Sequence, residues 1–423
     1  MEYRPRIIDK QLDELLAILP AIAIDGAKGV GKTATATRRA SEVYTLDVEP
    51  WHGRIESNPE LVTRGMPPVF VDEWQLVPEV WNVVRHSVDS DRSPGRYLLA
   101  GSATPRPDVA VHSGAGRIVS LVMRPMSVPE RGLDTPIASL AELLTGTRPD
   151  YYGRSSVSTD QWVNEIVRSG FPGIRDAPPR GRKFLLDGYL GRIVDRDIPE
   201  AGGTVRRPAT ARQWLAAYGA ATATVSSYST ILDAATPGEA EKPSRSAVNA
   251  YRELLTRTWI LDPLPAWRPA FTHLKRLAQG PKHHLVDPAL AARLVGASEE
   301  SLLAGRPESA FRRDVTFLDA LFESLAVQTV RVLADAAGAT VSHLRDQNDR
   351  REVDIIVQRD DSSVVAIEVK MSTRVRPADV ASLNWLDAEI GPQLLDKVVV
   401  NAGDSAYRRK DGVLVLPLAL LGP

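Results

Sequence analysis

Residues 26–33, GAKGVGKT, fit the spacing G-x-x-x-x-G-K-[ST], and few eight-residue stretches restrict a fold so tightly. The pattern works only where a strand ends in a glycine turn that opens a helix. The backbone N–H groups of the turn and the partial charge of the helix N-terminus then hold phosphates together. Both flanks are present. Residues 21–24 are apolar enough for a buried strand, and TATATRRASEVY from Thr33 onward reads as a helix. The nucleotide contacts expected are Gly26, Ala27, Lys28, Gly29, Val30, Gly31, Lys32, Thr33 and Ala34. Among them Lys32 reaches the β- and γ-phosphates and the Thr33 hydroxyl ligates Mg²⁺.

Such a site needs further acids, and PPVFVDEWQ supplies them. Residues 69–71 are a second apolar strand. It delivers Asp72 to hold Mg²⁺ and Glu73 to orient or deprotonate the attacking water. A kinase has no use for the second acid, so the Asp-Glu pair favours hydrolysis over transfer. A third strand, in YLLAGSA, brings Ser102 to a position between that water and the γ-phosphate. In GAGRIVSLVMRP, Arg117 precedes the run 118–122 and Arg124 ends it. Arg117 is placed either as an arginine finger on a neighbouring subunit's γ-phosphate or as a surface group in a local ion pair. Strands alternating with helices give an α/β fold with a parallel sheet, its site at the strands' carboxyl ends.

Composition narrows the rest. The 423 residues exceed the ~250–300 that one core usually supports, so several domains are expected. There is no cysteine, which excludes disulfides, thiolate catalysis and cysteine zinc sites. The opening MEYRPRIIDKQLDELL is too charged for a secretory signal, and no apolar run approaches the ~20 residues of a membrane helix. A cytoplasmic protein without membrane contact is expected. Lys and Arg total 52 against 53 acids, but the balance is not even along the chain. Residues 205–283 hold eleven basic and five acidic residues, eleven less five being an excess of six. That region reads as three helices, TARQWLAAYGAATA, SYSTILDAA and SRSAVNAYRELLTRT, followed by the strand-like WILDPLPAW. This is the plan of a winged helix-turn-helix. Its third helix would present Ser244, Arg245, Asn249, Arg252 and Arg257 to DNA, although many winged helices bind only protein.

REVDIIVQRDDSSVVAIEVKMS reads as a β-hairpin turning at RDDSS. Side chains alternate along a strand, so Glu368 and Lys370 share one face. Asp354 comes from the preceding strand and Glu323 from a helix upstream. An acid followed thirteen residues later by Glu-x-Lys is the arrangement of a Mg²⁺-dependent phosphodiesterase of PD-(D/E)xK type. Asp354 and Glu368 would ligate the metal and Lys370 would polarise water or phosphate. The seven histidines, His283 and His284 among them, have no metal-ligand spacing and read as surface or packing residues.

Taken together, YRPRIID, GAKGVGKT, FVDEWQ, LLAGSA, GRIVSLVMRPMSVPE, LGRIVDRDI, KHHLVDPAL and EVDIIVQ…AIEVK resemble bacterial and archaeal AAA+-type ATPases with a C-terminal DUF4143 domain. The resemblance implies a P-loop AAA+ core, placed over 1–145; the helical segments DQWVNEIVRSG and RKFLLDGYLGRIVDRDI after the polar stretch 144–159 read as a lid on it, over 146–204. A winged helix-turn-helix over 205–272 and a PD-(D/E)xK nuclease-like α/β domain over 273–423 follow. It assigns ATP contacts to Gly31, Lys32 and Thr33, and metal and water roles to Asp72 and Glu73. The usual Gly-Pro-Arg opening of the loop is Gly26-Ala27-Lys28 here, and Ala34 stands where a second hydroxyl is common. The expected function is an ATP-hydrolysing, Mg²⁺-dependent homo-oligomer, a ring or part of one, acting on DNA. A nucleotide-dependent protein-binding switch and an ATP-licensed DNA nuclease are the alternatives.

Overall fold

A computed structural model describes residues 3–102, 114–200, 207–236, 245–269, 280–304, 317–346 and 351–423, the side chains of 245–247 excepted. The chain divides into two compact units. The first comprises Met1–Pro125, Ile193–Arg206 and Asn249–Ile260. The second comprises Met126–Arg192, Arg207–Val248 and Leu261–Pro423.

The first unit is built on β1 (Ala21–Asp25), β2 (Glu42–Thr45), β3 (Val69–Asp72), β4 (Tyr97–Gly101) and β5 (Val119–Val122). All neighbours pair in parallel, in the order β2-β3-β4-β1-β5. The central strands are apolar without interruption because both faces of such a sheet are covered. One cover is the helix Glu79–Ser90, which turns Val80, Trp81, Val84 and Val88 inward at helical spacing. Trp81 packs on Trp74 with ring centroids 4.6 Å apart. Register places Asp25 opposite Gly101 and Asp72 opposite Ala100, so the polar strand ends share one edge. The segment read as one helix from Thr33 is shorter: α1 spans Lys32–Thr37, and Glu42–Thr45 instead joins the sheet beside β3. Val43, Tyr44 and Thr45 suit a pleated, half-buried surface, and pairing along buried β3 takes them out of the helix.

The second unit holds a seven-stranded mixed sheet in the order β7-β12-β13-β11-β10-β9-β8. Its strands are β7 (Gly153–Arg154), β8 (Thr340–Arg345), β9 (Glu352–Gln358), β10 (Val364–Lys370), β11 (Leu394–Asn401), β12 (Ser405–Arg408) and β13 (Leu414–Pro417). β9 and β10 form the expected hairpin, with Val364 opposite Gln358. The 20-residue helix Phe317–Ala336 is buried along most of its length. Residues 126–145, expected with the nucleotide core, belong to this second unit, where β6 (Ala138–Ser139) pairs with β14 (Leu421–Gly422). The region 146–204 is likewise split, since only Ile193 onward clusters with the first unit.

The region 205–272, expected as a winged helix-turn-helix, is divided between the two units. Helices Pro208–Ala220, Tyr228–Ala235 and Arg245–Arg257 are present, but the first two lie in the second unit and residues 249–257 in the first. Among the described residues, the wing WILDPLPAW makes isolated bridges, from Leu261 to Leu285, Leu264 to Lys282 and Ala266 to His343. Pro263 and Pro265 remove two of the donors a ladder there would need.

Candidate functional site

The phosphate loop is shaped by what lies behind it. Gly26 has φ +151, and a Cβ there would stand 2.2 Å from the Met123 carbonyl oxygen. The end of β5 passes that close because the Met123 N–H donates to the Asp25 carbonyl at 2.7 Å. Gly31, with φ +108, turns the chain into α1. Lys32, only 5 % exposed, bends back over the loop and donates to the carbonyls of Gly26 at 2.7 Å and Ala27 at 3.0 Å. Burial pushes its pKa down to about 8, against the pull of Glu73, Asp72 and Asp25.

Asp72 ends β3 beside Thr33, whose hydroxyl donates to Asp72 Oδ2 at 2.8 Å. Its other oxygen, Oδ1, is buried without a partner among the described residues. Burial, with the charge of Glu73 adding to it, raises the carboxyl to about 6 despite the Thr33 bond. A hydroxyl, a carboxylate and an orphaned buried oxygen are hard donors of the kind Mg²⁺ takes, so the residues fit that ion. Once bound it would neutralise phosphate charge; Thr33 and Asp72 would hold it.

Glu73 follows in the left-handed region, φ 51, where a non-glycine residue costs roughly 1–3 kcal/mol and is concentrated at functional sites. Its Oε2 accepts from Ser102 Oγ at 2.9 Å and from Gln75 Nε2. The strand order explains the meeting. β4 lies between β1 and β3, so Ser102, just past its end, arrives between the loop and the acids.

Of the expected contacts, Gly26, Gly31, Lys32, Thr33, Asp72, Glu73 and Ser102 assemble at this edge. Lys28 does not face a phosphate site freely: its ammonium bonds Asp197 at 2.7 Å and Glu200 at 2.9 Å. Arg117 bonds Asp89 at 2.8 Å and the Ala115 carbonyl at 3.1 Å, which is the local ion pair. Arg124 contributes its carbonyl, which accepts from Arg6 Nη2 at 2.7 Å.

Arg6, Asp25 and Gln75 were not expected. Arg6 is buried and also donates to the Val30 carbonyl at 2.8 Å, bracing the loop from below. Tyr3 joins this brace through Asp9 at 2.7 Å and Thr35 at 3.0 Å. Asp25 is raised by burial although Ser120 hydrogen-bonds to it. An acid closing an apolar strand just before a glycine was the available signal for Asp25. None marks Gln75.

On the helix Arg245–Arg257, Asn249 is exposed and Arg252 and Arg257 are half-buried; Arg252 lies 3.9 Å from Glu253. Ser244 and the Arg245 side chain lie outside the described residues.

In the second unit, Glu323, Asp354, Glu368 and Lys370 do come together, lining one cavity of about 450 Å³ with Glu352. Lys370 donates to Glu368 at 2.5 Å. Burial and the nearby Asp354 charge raise Glu368 to about 8. A residue not expected here, Lys282, reaches the same acids and holds Asp354 well below the carboxylate range despite its burial. No group of three or more His, Asp or Glu among the described residues has metal-holding geometry. His283 and His284 are buried packing residues, His283 bonding the Ser226 carbonyl at 2.7 Å.

Comparison with known proteins agrees with this layout. Residues 19–131 match the family model described as AAA domain, and 318–421 match the domain of unknown function DUF4143. Between them, 159–301 match a second domain of unknown function, DUF8612. The chain therefore carries an N-terminal AAA domain and a C-terminal DUF4143 domain. Uncharacterized proteins of Mycobacterium tuberculosis and Mycobacterium bovis are each 23 % identical over 406 residues, 94 % of this chain and 80 % of theirs. Among solved structures, two RuvB variants of Thermotoga maritima are similar at 18 % and 16 % identity, both with TM-score 0.26. They cover 61 % and 62 % of this chain and 89 % and 94 % of their own. That score carries no argument about this chain. No helix among the described residues is long and apolar enough to cross a membrane.

Proposed function

We propose that this AAA-domain protein binds and hydrolyses ATP with Mg²⁺ and uses the cycle to act on DNA. The ATP half rests on one observation: the Thr33–Asp72 bond leaves Asp72 Oδ1 buried and unpartnered at the edge where Lys32 bends over the loop. A phosphate would replace the two carbonyls that Lys32 now contacts. Glu73, fixed by Ser102 and Gln75, accepts the proton of the water that attacks the γ-phosphorus as the bond to the bridging oxygen breaks. Lys32→Ala should abolish nucleotide binding in equilibrium titration; unchanged affinity would remove Lys32 from the site.

The DNA half draws on the positive excess over 205–283, six in sequence and five with the buried Lys282 set aside, and on Arg245, Asn249 and Arg252, spaced to share one helix face. ATP turnover with and without duplex, single-stranded and branched DNA tests it. Absence of stimulation, with no salt-sensitive binding, would leave only the ATPase. We place the protein in a homo-oligomer in which Arg117 leaves Asp89 for a neighbour's γ-phosphate. Arg117→Ala should then lose turnover and keep ATP binding.

A second reading, a nucleotide-set switch that binds protein, is favoured by the contact of Lys28 with Asp197 and Glu200. Through it the loop's state reaches the segment Ile193–Asp197 and its continuation. One nucleotide retained per chain over many minutes would support the switch.

A further inference from the structure

The spacing of Asp354, Glu368 and Lys370 calls for a divalent cation, and the acids do converge. A cation already stands among them, and it is an amino acid. The ammonium of Lys282, 0 % exposed, lies 2.8 Å from Glu323 Oε1, 2.7 Å from Glu352 Oε1 and 3.0 Å from Asp354 Oδ1. An ammonium has three protons to donate, and three carboxylates take them. Asp354 has no idle oxygen, because Oδ2 accepts the Val369 N–H at 2.9 Å.

Nor is Lys282 a side chain that swings in and out on a loose loop. Its backbone N–H donates to the Leu264 carbonyl at 2.9 Å, and its carbonyl accepts from the Leu264 N–H at 2.8 Å. The neighbouring His283 and His284 are buried as well. A divalent ion shared by Asp354, Glu323 and Glu352 would have to stand against this ammonium in a desolvated setting. There, like charges a few ångströms apart repel strongly.

The remaining acid has a lysine of its own. Glu368, 9 % exposed, pairs with Lys370 through Oε1, while its Oε2 lies buried at the cavity without a partner. The position between Glu323, Glu352 and Asp354 is the one Lys282 fills.

We infer that the C-terminal centre is a lysine-neutralised counterpart of a metal site. The Lys282 ammonium takes the position of the divalent cation, and the centre does not bind Mg²⁺ or Mn²⁺ while Lys282 is present. Take the ammonium away, and Glu323, Glu352 and Asp354 become a cradle of hard oxygen donors for a divalent ion. The inference is independent of the ATPase reading.

The test uses the full chain and Mn²⁺ alone, followed by electron paramagnetic resonance and calorimetry. Any Mn²⁺ bound by Thr33 and Asp72 is common to all variants. Asp354→Asn in the wild-type background should leave Mn²⁺ binding unchanged. Lys282→Ala should bind one more Mn²⁺ per chain than the wild type, should melt higher when Mn²⁺ is added, and should lose both gains in Lys282→Ala/Asp354→Asn. Lys282→Arg, which keeps a buried cation, should gain nothing. A wild-type Mn²⁺ site that disappears in Asp354→Asn overturns the inference, as does a folded Lys282→Ala protein with no added Mn²⁺. If Lys282→Ala is recovered unfolded even with Mn²⁺, the wild-type comparison decides alone. An Asp354-dependent site refutes the inference, and its absence supports it.

Discussion

Lys32 in the first compact unit and Lys282 in the second are both buried lysines among acids, and they are engaged differently. Lys32 leans on the carbonyls of Gly26 and Ala27, weak neutral partners that a phosphate can replace. Lys282 spends its three protons on three carboxylates. Near Lys32 an acid oxygen, Asp72 Oδ1, lacks a partner, as Glu368 Oε2 does at the other centre, but the three acids on Lys282 are neutralised from within. Burial accordingly pushes Lys32 down to about 8, whereas its acids hold Lys282 well above the usual lysine value in spite of full burial. A charged group held by replaceable partners suits ligand exchange, and one held by permanent counter-charges suits structure.

The largest expected effect lies at the exchangeable centre. Glu73→Gln should keep ATP affinity and lose turnover by about 10²–10⁴-fold, the usual contribution of a general base, read in single-turnover assays. Normal turnover in that variant would show that Glu73 is not the base.

Next comes stability, where the two lysines should part. Lys282→Ala leaves buried acids uncompensated and should destabilise the fold by about 3–5 kcal/mol in denaturant unfolding. Lys32→Ala removes a desolvated ammonium that hydrogen-bonds to carbonyls and feels its acids only at a distance, so its unfolding midpoint should match or exceed the wild type. Equal losses in the two variants would break the comparison.

A smaller effect concerns pH. The ligand-free protein should bind Mg-ATP best between about pH 6 and pH 8. Above about 8, Lys32 loses the proton that attracts phosphate; below about 6, Asp72 gains one and ceases to be a metal ligand. Each limb should approach tenfold per pH unit in titrations across the range. A flat profile would mean that neither group titrates where its burial places it.

The smallest concerns DNA. Arg252→Ala should weaken binding modestly and lower the slope of log affinity against log salt by about 0.9, one phosphate contact. An unchanged slope would put Arg252 outside the DNA interface.

The legible parts of this molecule were those with a local rule. The loop spacing located Lys32 and Thr33, and the apolar run before Asp72 located its strand, because phosphate binding and strand burial leave marks on consecutive residues. The β9–β10 hairpin was legible for the same reason. What escaped was long-range. Lys282 belongs to the stretch matched by DUF8612, not to that matched by DUF4143, and only the fold brings it to Asp354. Arg6 could be seen as a family marker but not as the brace under Val30. The division of the three helices over 208–257 between two units is likewise a property of tertiary contacts, which helical periodicity does not encode.

The pairing of Lys28 with Asp197 and Glu200 has a practical corollary. The nucleotide-binding module is interleaved, recruiting stretches near 200 and 250 from well downstream in the polypeptide. A fragment trimmed at residue 131 would deprive Lys28 of Asp197 and Glu200 and strip away those returning stretches. Dissecting this protein by truncation would thus yield a damaged engine, and single substitutions in the intact chain are the sounder scalpel.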